Sequence, residues 1–121
     1  MANPFVHVEL YTPNLGKAKD FYATLFGWEL QDMPMPEGGT YTMIKVGKGT
    51  GGGMMKHPMP GAPSAWLSYV EVDDIEASTK KAKDLGATII KDVTEVMGAG
   101  WLSIFQDTTG AVLGLWKPKA R

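Results

Sequence analysis

The residues best equipped for chemistry are His7 and Glu9, two apart in the run FVHVELYT. An imidazole titrates near neutrality, and a carboxylate beside it can orient its ring or exchange a proton with it. Strand side chains alternate, so an extended segment here puts Phe5, His7, Glu9 and Tyr11 on one face and Val6, Val8 and Leu10 on the other. The pair admits four roles: polar groups of a wet cleft or of a hydrogen bond to a neighbour, ligand contacts, a proton-transfer pair, or two metal ligands. Cα atoms two residues apart on a strand are roughly 6–7 Å apart, and a catalytic zinc normally takes three protein ligands. The second histidine of the chain, His57, helps only if its loop folds over the same face. No metal is therefore expected on these residues.

Other strings read as structure rather than chemistry. Gly47-x-Gly49-x-x-Gly52 matches a dinucleotide fingerprint, but that fingerprint needs a helix to begin there, and more glycine and MMKHPMP follow. The expectation is a flexible hairpin or a bulged strand, whose glycines could also let a ligand approach the backbone. Asp73–Asp74 is a helix start, not a carboxylate pair. Two histidines support no Ser/His/Asp arrangement, and with no cysteine there is no disulfide and no thiol catalysis.

Around His7 and Glu9 the pattern supplies positioning elements. Asn14 is placed as an N-cap, and Leu15, Ala18, Phe21, Tyr22, Leu25 and Phe26 recur at helical spacing. Gly27 is placed to end that helix, and Trp28 and Leu30 begin an extended run. Gln31 to Gly39 reads as loop, and TYTMIKV at 40–46 as strand. The proline-rich PMPGAP at 58–63 is the best linker. Then Ser64 to Val72 is extended, Asp74 caps a second helix marked by Ile75, Ser78, Ala82 and Leu85, and Gly86 stands at its end. Ala87 to Lys91 is a short strand, VTEVMGAG a loop, and Trp101 to Gln106 and Ala111 to Lys117 a hairpin turned by DTTG.

The halves match at an offset of 67 − 7 = 60: His7 falls on Leu67, Asn14 on Asp74 and Leu15 on Ile75. Two βαβββ units imply an α+β fold with one curved mixed sheet and helices on its outer face. A chain of 121 residues with 44% hydrophobic and 21% charged residues suits one soluble domain. The net charge of −1 offers no electrostatic reason for nucleic acid or an anionic membrane as partner. Without a long apolar run or signal-peptide core, the expected location is the cytoplasm.

His7-x-Glu9, Asn14, Ala18 and FYATLFGW at 21–28 resemble the first module of the vicinal oxygen chelate superfamily, which includes glyoxalase, bleomycin-resistance proteins and extradiol dioxygenases. WLSYVEVDDIEAS at 66–78 is similar to its second-module opening, and IFQDTTGAVLGLWKP at 104–118 to its closing hairpin F-x-D-P-x-G-x-x-x-E-L. The resemblance implies modules 5–57 and 64–118 of a single domain, a U-shaped cup, and often a homodimer. In metal-dependent members the ligands lie on the first and last strand of each module. Carried over, they fall on His7, on Leu67, near Met54 or Met55, and on Gly114 where a glutamate closes the pattern. One of the four survives, since leucine and glycine offer no donor and a thioether suits hard or borderline ions poorly.

If the faces are as the resemblance places them, Leu67, Tyr69, Gly114 and Trp116 lie near His7 and Glu9, making a mostly apolar pocket with a few polar groups. The six are the candidate ligand-binding residues. Packing in the core or a dimer is the plainer role for any one tryptophan. The resemblance thus implies a small-molecule-binding protein of the glyoxalase/bleomycin resistance type without the usual metal. The alternatives are a metal-dependent lyase, isomerase or dioxygenase with an unusual ligand set, and an enzyme using His7 and Glu9 without metal.

Overall fold

The computed structural model describes residues 3–36, 38–59, 61–96 and 98–119. Glu37, Pro60 and Met97, which the sequence reading assigns to loops and the linker, lie outside the described residues. The chain forms two compact units. One is His7–Leu67; the other runs from Ser68 onward and takes in the residues before His7.

The first unit contains β1 (Phe5–Thr12, its start shared with the other unit), α1 (Leu15–Phe26), β2 (Glu29–Pro34), β3 (Thr40–Lys45) and β4 (Gly52–Lys56). β1 runs parallel to β4, β4 antiparallel to β3, and β3 antiparallel to β2. The cap reading holds at both ends of α1. The Asn14 side chain accepts from the Lys17 amide at 3.0 Å, satisfying one orphan donor of the first turn. Gly27 closes the helix at φ 70°, a left-handed conformation that a side chain disfavours.

One sheet face of this unit packs Leu10, Ile44 and Met54 against Leu15, Ala18, Tyr22 and Trp28. The expected α1 stripe is therefore too wide. Leu15, Ala18 and Tyr22 reach the sheet, while Phe21, Leu25 and Phe26 are more than half exposed. The helix is short and meets the strands along a single strip, so the flanking positions turn outward.

The second unit repeats the order: β5 (Ala65–Glu71, its start shared with the first unit), α2 (Ile75–Asp84), β6 (Thr88–Val96), β7 (Gly100–Gln106) and β8 (Val112–Pro118). β5 runs parallel to β8, and β8, β7 and β6 follow antiparallel. Asp74 caps α2 by accepting from the Ala77 amide. Leu85, read as part of the apolar stripe, is instead exposed at the helix end, and Thr79 takes the inward position. Its hydroxyl donates to the Ile75 carbonyl at 2.6 Å, so the buried Ser103 hydroxyl must be the donor in the 2.8 Å contact between them. The DTTG turn is as expected: the Asp107 carboxylate accepts from the Thr109 hydroxyl and amide and from the Ala111 amide. These donors, Thr109 first, hold the Asp107 carboxyl below its ordinary pKa.

Two loop readings are corrected. Residues 31–34 belong to β2 and residues 93–96 to β6. DMP carries a weak strand signal and gains its order from pairing with β3, whereas VTEV is rich in β-branched residues and continues β6 against β7 past an irregularity between Lys91 and Thr94.

Candidate functional site

The face of the first unit opposite α1 carries the polar cluster. β1 presents His7, Glu9 and Tyr11 there. β3 adds Tyr41 and Met43, and β4 adds Gly53 and Met55, by the register Glu9↔Gly53, Tyr11↔Met55, Met43↔Gly53 and Tyr41↔Met55. Glu9 is buried and His7 half-buried.

The hydroxyl of Tyr41 joins the two residues singled out in the sequence. It lies 2.7 Å from His7 Nε2 and also hydrogen-bonds the Glu9 carboxylate. A carboxylate accepts, so the one phenolic proton goes to Glu9 and His7 Nε2–H donates to the phenol oxygen. The Tyr11 hydroxyl donates to Glu9 Oε1 at 2.9 Å. Glu9 thus gathers two phenols, and His7 is tied to it through one of them.

The electrostatics follow from burial. Desolvation lowers the His7 pKa, partly opposed by the negative charge of Glu9, which favours the imidazolium. Burial first, then the charge and hydrogen bond of Glu9, pushes the Tyr41 phenol far up, so it stays protonated as a donor. His57 does reach this neighbourhood. Its ring packs on Tyr11 at 5.7 Å between centroids, and its Nδ1 accepts from the Met59 amide at 3.1 Å.

Of the other sequence candidates, Leu67 is buried at the end of the first unit. Tyr69, Gly114 and Trp116 lie in the second unit. There Tyr69 and Gly114 are register partners across β5 and β8, and Trp116 pairs with Glu71. Tyr69 is 2% exposed, and its ring lies over Gly114. Tyr41 and Gly53 escaped the sequence reading, and Tyr11, placed on the face of His7 and Glu9, was not named there as a site residue. The signal for Tyr41 was its alternation with Met43 in TYTMIKV, but nothing local says which strand it would lean toward.

The register corrects one carried-over position. Glu9 faces Gly53 on β4 as Tyr69 faces Gly114 on β8, and the next residues, Met54 and Leu115, both enter the core. The closing position of the first unit is therefore Gly53, not Met54 or Met55. A Cβ at Gly53 would overlap the Tyr41 hydroxyl, and one at Gly114 the Tyr69 ring. The four positions implied for a metal thus hold His7, Gly53, Leu67 and Gly114, a donor set that does not fit a divalent ion. No group of three or more His, Cys, Asp or Glu among the described residues is arranged to hold one.

Two βαβββ units with this strand order define a glyoxalase-type fold. Residues 5–115 match the Glyoxalase/Bleomycin resistance protein/Dioxygenase superfamily, and the chain belongs to it. It is 36% identical over 115 residues to CFP32 of Mycobacterium bovis, which carries a glyoxylase name; the match covers 91% of this chain and 44% of that protein. It is 27% identical over 123 residues to the anthracycline biosynthesis protein DnrV of Streptomyces peucetius, covering 90% of this chain and 45% of that one. The chain thus spans about half the length of the curated relatives it matches. Methylmalonyl-CoA epimerase from Mycobacterium tuberculosis shares the fold at TM-score 0.71 and 14% identity, over 96% of this chain and 88% of that one. So does the protein BH1468 from Bacillus halodurans, at TM-score 0.76 and 13% identity, over 100% and 98%.

Proposed function

We propose that the chain is a small-molecule-binding protein of the glyoxalase/bleomycin resistance type that works without the usual metal. The observation that carries this reading is the pair of glycines at the closing positions, each covered by a tyrosine ring. The His7–Tyr41–Glu9–Tyr11 network then supplies directional polar contacts, beside Met43 and Met55, whose flexible apolar side chains adapt to a ligand. Leu67, Tyr69, Gly114 and Trp116 are proposed as further ligand-binding residues on the strength of the family resemblance. The epimerase structures whose ligands are named contain methylmalonyl-CoA or a propionyl-CoA analogue, so acyl-CoA esters are reasonable first compounds to test.

Elemental analysis of untagged protein, with native mass spectrometry of what co-purifies, tests the reading. The expected result is a small organic molecule or an empty protein, no stoichiometric transition metal, and a melting temperature unmoved by chelator. Near-stoichiometric metal that chelator removes with loss of stability would replace this reading with a metal-dependent lyase or dioxygenase.

A further inference from the structure

We infer that Tyr41 is a built-in substitute for the metal: its hydroxyl takes the place beside His7 that an ion would need, and Gly53 exists to seat it. This deepens the metal-free reading and rests on it.

The argument joins three contacts. His7 Nε2, a nitrogen able to ligate, is already committed to the Tyr41 oxygen at 2.7 Å. Glu9, the nearest carboxylate on the same strand face, receives the Tyr41 proton and that of Tyr11. Gly53, where a closing carboxylate would stand, leaves room for the phenol and for nothing larger than hydrogen. A non-glycine residue at 53 and the Tyr41 ring in this position exclude each other. The requirement at Gly53 is steric, since the obstacle is a side chain on the neighbouring strand, unlike Gly27, whose left-handed backbone disfavours any side chain. The second unit solves the same problem with a different residue: the Tyr69 ring, from the parallel neighbour strand, covers Gly114. Two units that share little sequence thus both pair a glycine at the closing position with a tyrosine above it. In each unit the tyrosine ring and a side chain at the closing position therefore exclude each other.

The test is titration with Co²⁺ alone, read by its absorption and by paramagnetic broadening of the His7 ring resonances. Wild type, Gly53→Glu and Gly53→Glu/Tyr41→Ala are compared. Removing the ring should let the introduced carboxylate and His7 share the ion. The double variant should bind Co²⁺ at least about tenfold tighter than Gly53→Glu, the equivalent of one hydrogen bond that need not be broken. Adding His7→Ala should abolish the gain. Equal affinity of Gly53→Glu and the double variant would overturn the inference. Should Gly53→Glu fail to fold, the milder Gly53→Ala decides: it should lower the melting temperature in wild type and leave it nearly unchanged in a Tyr41→Ala background. Equal losses in the two backgrounds would overturn the inference. Wild-type protein that binds Co²⁺ tightly and stoichiometrically defeats the metal-free reading itself. A metal-free wild type whose double variant gains nothing defeats this inference alone.

Discussion

Substituting Tyr41→Phe removes one oxygen and keeps the ring over Gly53, so it isolates the hydrogen bonds from the packing. Two bonds go: the donation to Glu9 and the acceptance from His7 Nε2–H. The first involves a charged partner and is worth roughly 1.5–3 kcal/mol, the second roughly 0.5–1.5 kcal/mol. Tyr11 still donates to Glu9, which places the first loss at the lower end. His7 is half-buried, so water recovers part of the second. The expected net cost is about 2 kcal/mol. A chain of this length loses about 3–5 °C of melting temperature per kcal/mol, so the variant should melt about 6–10 °C lower. Urea denaturation should show the same loss in its midpoint with an unchanged slope. Adding Glu9→Gln removes the charge that missed its donor, so the double variant should lose less than the two single losses summed, by about 1 kcal/mol. A Tyr41→Phe variant within about 0.5 kcal/mol of wild type, or strict additivity with Glu9→Gln, would refute the network as described.

The lowered His7 pKa fixes a sign for acid. The unfolded chain takes a proton on His7 near 6.5, the fold takes it only at lower pH, and stability therefore falls as pH drops below about 6.5 and is complete above it. Melting curves of wild type and His7→Gln should diverge in slope over that window, and parallel curves would contradict it. The family resemblance and the exposed Phe21, Leu25 and Phe26 on α1, with Trp66 beside Tyr22, motivate a homodimer built on this apolar patch. Light scattering should then give a particle near twice 13.1 kDa, lowered toward a monomer by Leu25→Glu; a wild-type monomer at micromolar concentration would remove the proposal.

Local chemistry carried much of the fold into the sequence. Both helix starts were legible because an N-cap needs only a short acceptor three residues ahead of the amide it satisfies, as in Asn14 with Lys17 and Asp74 with Ala77. The DTTG hairpin and the His7/Glu9 face were legible for the same reason, since turns and strand alternation are properties of neighbours along the chain. The extent of β2 and β6 was not, because DMP becomes strand only through its partner β3, and β6 runs on through VTEV past a register shift between Lys91 and Thr94 that only its pairing with β7 reveals. Nor was the inward Thr79, which is buried because Ser103 arrives from β7 to satisfy it.

The site shows the division most sharply. Strand alternation marked His7 and Glu9 as a polar pair on one face, and the family resemblance marked Gly114 as standing where the usual pattern has a glutamate. Only the tertiary structure brought Tyr41 from a strand more than thirty residues away to bridge that pair. Strand register decided the rest: it set Gly53 against Glu9 and moved the closing position off Met54, a shift of one residue that sends a side chain to the opposite face. Spacing along one chain cannot encode that register, because it depends on which backbone groups of separate strands pair.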